Sequence, residues 1–171
     1  FEDKFDESRI KSINYWPPEE LFDRCSYSGS TLALQELWSK SGQLINFKSP
    51  KYIRCIAQNW IIKHIGIDYI IITIHLKNNP SDEQSNANQE SWFKFIQNCY
   101  LNKLPVRFVL IGNDKIDLKI SELPNVVLSK DHGGDLGLDL ALIELSFFFM
   151  GMSSGPCNMA ILSDKPYLIW K

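Results

Sequence analysis

The chain has 171 residues, 44% of them hydrophobic and 22% charged, an ordinary balance for one globular domain with a sizeable core and room for an appended segment. A formal net charge of −2, with the basic residues scattered, gives no general attraction to nucleic acid or to an anionic surface, so no nucleic-acid partner is expected. No apolar run approaches the roughly 20 residues that a bilayer-spanning helix needs, and the charged opening FEDKFDESRIKS has no signal-peptide pattern; the expected place is the cytoplasm, including the inner membrane surface.

Residues 1–67 read as a helical N-terminal segment, a remnant of another domain or a link to one. In NYWPPEELFDR, Pro17-Pro18 is followed by Glu19 and Glu20: proline presets φ for a first helical turn, and carboxylates face the positive end of the helix dipole. STLALQELWSKSGQ sets Leu34, Leu37 and Trp38 at helical spacing, with Gly42 as the stop. PKYIRCIAQNWIIKHIG carries Ile53, Ile56, Trp60 and Ile61 on one face and ends at Gly66.

From Asp68 the pattern changes. DYIIITIHL is a β-branched run of the kind found in strands buried on both faces. After the polar loop KNNPSDEQSNANQ comes a helix with Trp92, Phe95, Ile96 and Cys99 on its inner face. VRFVLIGN is the next strand and NVVLSK a short third; DLGLDLALIELS is an apolar helix, FFFMG a fourth strand, SGPCNMAILS a short helix and PYLIW a fifth strand. This alternation predicts an α/β, Rossmann-like domain over residues 68–171, with a parallel sheet of about five strands flanked by helices. A chain that starts without Met and stops just after a strand is expected to be a fragment of a longer protein.

Cys25, Cys55, Cys99 and Cys157 are far apart, as are the three histidines, so no metal site and no disulfide framework is expected. In open parallel sheets, ligands bind beyond the carboxyl ends of the strands, which selects four loops: His75 to Asn79, Gly112 to Lys115, Lys130 to Asp135, and Met152 to Asn158. In the last of these, the amides of Ser154 and Gly155, with the hydroxyls of Ser153 and Ser154, either hold a diphosphate or simply cap the following helix. His75 and Lys77 end the first strand; beside an amide cluster they would neutralise a diphosphate, and otherwise they are a sheet-edge histidine and a solvated lysine. Gly112 and Asn113 close the second strand. Lys130 and His132 have the reach for phosphate, Gly133-Gly134 let a ligand approach the backbone, and Asp135 suits a helix cap. Asp139 lies nearer than Glu144 to the ligand-facing end of its helix, as a ribose contact or part of a solvated face. Asp82 and Glu83 are base candidates or plain surface acids.

GMSSGPCNMAILSDKP resembles the strand–loop–helix segment near the nucleotide-sugar site of GT-B-type glycosyltransferases, above all the bacterial heptosyltransferase type. Gly151, Ser154, Gly155, Pro156, Ala160, Lys165 and Pro166 match; Ser153 stands where that family tends to have Asp, and Asn158 where it tends to have His. ITIHLKNN is similar to the HxR strand end of GT-B fucosyltransferases, with His75 and Lys77 matching and Lys in place of Arg. The polar loop after it looks like that of a group of bacterial surface-polysaccharide glycosyltransferases. The resemblance spans roughly residues 68–171. It implies the nucleotide-sugar half of a two-domain, metal-independent enzyme, with a nucleoside diphosphate sugar as donor substrate, a glycan or other acceptor, and no further cofactor. His75 and Lys77 would then act on the leaving diphosphate; Gly112, Asn113, Lys130, His132, Gly133, Gly134, Asp135, Ser153, Ser154, Gly155 and Asn158 would line the donor site. A nucleotide-sugar epimerase or hydrolase, and a non-catalytic binding or scaffolding domain, are the alternatives on the same fold.

Overall fold

A computed structural model describes residues 38–42, 46–163 and 165–170. The chain divides into two compact units, residues 1–44 and 45–171. In the first, residues 38–41 are helical, and Gly42, at φ +64°, donates its N–H to the Trp38 carbonyl at 2.7 Å. That left-handed stop is the one its position predicts. The expectations for Pro17 to Leu37 lie outside the described residues.

In the second unit the order is α1 (Lys51–His64), β1 (Ile70–His75), α2 (Gln89–Leu101), β2 (Val106–Leu110), α3 (Leu118–Ser121), β3 (Val126–Leu128), α4 (Leu136–Leu145), β4 (Phe148–Met152), α5 (Cys157–Ile161) and β5 (Tyr167–Trp170). Short 3-10 turns lie at Glu83–Ser85 and Ser129–His132. The strands form one five-stranded sheet in the order β3-β2-β1-β4-β5, and every neighbouring pair is parallel. This is the predicted Rossmann-like sheet flanked by helices. The sequence reading lacked α3, a single turn capped by the Asp117 side chain, because one turn leaves no hydrophobic period to detect.

The strands read as continuous apolar runs because both faces of the sheet are covered. Ile74, Phe108, Leu110 and Met150 pack with Trp92 and Ile96 of α2 and Ile120 of α3. Val109 and Phe149, on the other face, pack with Leu138, Ala141 and Leu142 of α4 and with Met159 and Ala160 of α5. Ala57 and Trp60 of α1 belong to this second cluster, so the helix assigned by sequence to residues 1–67 completes the core of the sheet. Its inward stripe is Ile53, Ala57, Trp60 and Ile61, the i, i+4, i+7, i+8 set; Ile56, expected on that face, is exposed. On α2, Phe95 also departs from expectation: Trp92 and Ile96 are buried, and Phe95 is exposed at the rim.

β1 and β4 lie side by side, yet β1 leads by way of α2 to β2 on one flank and β4 by way of α5 to β5 on the other. The loops leaving these two strands therefore diverge and open a crevice at the carboxyl edge of the sheet. The register sets His75 of β1 opposite Gly151 of β4, at the carboxyl end of the two strands.

Candidate functional site

His75 is the last residue of β1 and is buried, with 6% of its surface exposed. Its Nδ1 lies 2.8 Å from the Ser154 hydroxyl and its Nε2 lies 3.2 Å from Oδ2 of Asp114. Two glycines make room for it. A Cβ on Gly112, which has φ +86°, would come within 2.9 Å of the ring, and a Cβ on Gly151 within 2.6 Å of the His75 carbonyl oxygen. Burial holds the imidazole pKa below its ordinary value, against the opposing pull of the Asp114 and Asp139 carboxylates; Lys77 adds slightly to the lowering.

Carboxylates tie the loops together behind this histidine. Asp114 also accepts the Asn78 N–H through Oδ1 at 2.6 Å, and its carbonyl accepts from the Lys130 ammonium at 3.0 Å. Asp139, buried within α4, accepts the Gly112 N–H at 2.8 Å and the Ser129 hydroxyl at 2.6 Å. Burial pushes its carboxyl pKa up, and those two donors pull it back. Gly134 sits so close to Ser129 that a Cβ would meet its carbonyl at 2.6 Å, and its N–H donates to that same carbonyl oxygen at 2.8 Å. The exits of β1, β2, β3 and β4 thus meet at one edge, as expected, through Asn78, Asp114, Lys130, Asp139 and Ser154.

In the loop after β4, the Ser153 N–H donates to the Trp170 carbonyl at 2.8 Å, and those of Cys157 and Asn158 donate to Ser154 and Gly155. No acceptor among the described residues takes the amides of Ser154 and Gly155. Ser153, Gly155 and Asn158 are exposed, and the space where a Gly155 side chain would project is open. The Ser154 hydroxyl, besides facing His75, lies 3.0 Å from the Met152 carbonyl, to which it can donate.

Other candidates are held differently from what their sequence positions suggest. Lys77 is ion-paired with Asp82 at 2.6 Å; this pairing, led by the hydrogen bond, holds the Asp82 carboxyl below its usual range and sets it apart from the role of a free base. Glu83 and Asn113 are exposed. His132 is gathered in by α1: its ring stacks on His64 at 4.2 Å and its carbonyl accepts the Trp60 indole N–H at 3.1 Å. Gly133 has φ +79° and open space around it, whereas Asp135 caps α4 by accepting the Leu138 N–H at 2.7 Å. Asp139 lies on no solvated face; it is an internal brace. Glu144 accepts the Ser49 N–H at 2.7 Å and pairs with Arg54, fastening the entry of α1 to α4.

Three residues escaped the sequence reading: Asp114, Asn78 and Ser129. Asp114 lies inside a loop singled out by position, and its acid following GlyAsn at a strand end was the available signal. Among the described residues no group of three or more His, Cys, Asp or Glu stands together in a way that could hold a metal ion. Among them, too, no helix is long and apolar enough to cross a membrane.

No protein-family model matches the chain, and no curated protein matches it. Among solved structures it is similar to the crystal structure of a glycosyl transferase family 9 protein from Veillonella parvula, with a TM-score of 0.59 and 19% sequence identity over 82% of this chain. At that identity the likeness is one of fold. The chain spans about two-fifths of that protein, 42% of its length.

Proposed function

We propose that this chain is the donor-binding half of a GT-B-type glycosyltransferase, which moves a sugar from a nucleoside diphosphate sugar to a glycan or other acceptor. The observation that carries the reading is the pair of amides, Ser154 and Gly155, left without an acceptor beside the crevice between β1 and β4. Backbone N–H groups left without an acceptor at the carboxyl edge of a parallel sheet suit an oxygen on which negative charge grows as the diphosphate departs. The fold shared with the family 9 protein supports the reading, as does the match of the Ser154-Gly155-Pro156 segment.

Lys77, two residues beyond His75 at the exit of β1, is the cation this reading assigns to the diphosphate. Its partner Asp82 is exposed, and exposed pairs contribute only about 0–1 kcal/mol, so exchange of Asp82 for a diphosphate needs little. The ammonium and the amides would balance the diphosphate without a metal ion. Ser153 and Asn158 would line the mouth, and the loops Gly112-Asn113 and Lys130–Asp135 would receive the nucleoside, with Gly133 offering open backbone. His75 would set the Ser154 hydroxyl. The acceptor would meet the donor across the crevice. Free Cys55, Cys99 and Cys157 fit a reducing cytoplasmic compartment.

Calorimetric titration of the chain with UDP, GDP, ADP, CDP and dTDP tests this. At least one is expected to bind, Gly155→Val is expected to weaken it ten-fold or more, and Lys77→Ala is expected to weaken it in a salt-dependent way. Absence of binding by all of them, or unchanged affinity in a folded Gly155→Val chain, would return the loop to a plain helix start.

A further inference from the structure

The row Met152 carbonyl–Ser154 hydroxyl–His75 imidazole–Asp114 carboxylate has one hydroxyl proton to share between two acceptors. Ser154 Oγ lies 3.0 Å from the Met152 carbonyl and 2.8 Å from His75 Nδ1. On the far side, Nε2 faces the Asp114 carboxylate at 3.2 Å. A carboxylate only accepts, so a neutral His75 keeps its single proton on Nε2 and presents a lone pair at Nδ1. Ser154 then donates to Nδ1, and its oxygen turns lone pairs outward. That arrangement repels an anion.

For the Ser154 proton to point at an anion, Nδ1 must itself carry a proton. Moving the Nε2 proton to Nδ1 would leave a lone pair against the Asp114 carboxylate, so that neutral tautomer is disfavoured. Protonation of the ring is the remaining route. The imidazolium donates from Nε2 to Asp114 and from Nδ1 to Ser154, and the Ser154 hydroxyl is released to donate to the anion, or to Met152 when none is bound. Heavy atoms need not move, since the same distances serve both states.

We infer that binding of a diphosphate at the Ser154 loop is coupled to uptake of one proton by His75, with Asp114 as the positioning residue that makes a proton, rather than a tautomer shift, the requirement. The inference rests on the proposed function for the identity of the anion. The charged groups around the ring are consistent with it. Asp114 from the exit of β2 and Asp139 from α4 favour the charged ring, Lys77 from the exit of β1 opposes it, and the Lys130 ammonium is fastened to the Asp114 backbone carbonyl. Burial keeps the free ring neutral, which leaves it a proton to gain. The same coupling stabilises the departing diphosphate, because the proton on His75 brings a positive charge to its serine contact.

The test follows protons and binding separately. Nitrogen-15 spectra of the full chain at pH 7.5 are expected to show His75 as the Nε2–H tautomer, and to show both nitrogens protonated at saturation with UDP, GDP, ADP, CDP, dTDP or inorganic pyrophosphate, whichever binds. Calorimetry in two buffers of different ionisation enthalpy should give about one more proton taken up per ligand than in His75→Gln, a difference that cancels the ligand's own titration. Ser154→Ala, which keeps the buried ring, should lose that extra proton. Asp114→Asn should lose it too while still binding, because an amide can donate to Nε2 and admit the neutral Nδ1–H tautomer. An Nδ1–H tautomer in the free protein, or binding with no extra proton in the wild type, overturns the coupling and leaves the proposed function standing. If none of the probes binds, both fall.

Discussion

Gly151 stands opposite His75 in the β1–β4 register, where a Cβ would lie 2.6 Å from the His75 carbonyl oxygen and 3.2 Å from its nitrogen. Backbone in the middle of a parallel sheet has no cheap way to retreat. Gly151→Ala is therefore expected to lower stability by about 2–3 kcal/mol, the upper range for overpacking, read as a fall in the urea midpoint. Gly155, four residues on, meets nothing within 4 Å, and Gly155→Ala should stay within about 0.5 kcal/mol of the parent. One glycine is required by the protein's own packing. The other is free of it. A stable Gly155→Ala chain is also the control against which the bulkier valine variant is read.

At the scale of the element, α4 carries two aspartates that do different work. Asp135 caps its start through one part-buried hydrogen bond, whereas Asp139, one turn on, is buried and satisfies both the Gly112 N–H and the Ser129 hydroxyl. Losing a cap costs about 1 kcal/mol, and leaving a buried donor unsatisfied costs about 1–3 kcal/mol. Asp139→Ala should thus lower the unfolding free energy by clearly more than Asp135→Ala, and only the former should shift the amide resonance of Gly112. Equal effects on stability would mean that the Asp139 brace is replaced by water. The brace explains why an acid is tolerated in so apolar a helix: α4 crosses from β3 to β4, and through Asp139 it reaches back to Gly112 at the exit of β2.

Across the whole molecule, the buried histidine sets a pH dependence whose sign is determined by burial. His75 titrates lower in the folded chain than the ordinary histidine value of about 6.5. Between those two values the unfolded chain binds a proton that the native chain does not, so acidification through that window lowers stability, and the contribution is fully present above about pH 6.5. Urea midpoints measured between pH 7.5 and 5.5 should fall more steeply in the parent than in His75→Gln. Parallel slopes would show that His75 is hydrated in solution. The same window is where a bound anion would be expected to act most strongly, since an anion beside Ser154 favours the protonated ring.

The elements of the sheet unit were legible because their causes are local. β-Branched runs such as Ile70–Ile74 and the apolar repeat of α2 carry their secondary structure in their own side chains, and the alternation of the two left a parallel sheet as the natural arrangement. The carboxyl-edge rule then pointed to four loops that the sheet brings to one edge, among them those that carry His75 and Ser154. What those residues do was decided by tertiary structure. His75 meets Ser154 only because β1 lies beside β4 in this register, and Asp114 reaches the ring only because β2 lies on its other flank. His132 and Lys77 show the reverse: chemistry suited to phosphate at the right edge, with the nearest partner supplied by α1 in one case and by Asp82 in the other. A sequence states which groups can accept or donate a proton. Which of them already have a partner is a matter of distance, and distances between remote segments are set by packing.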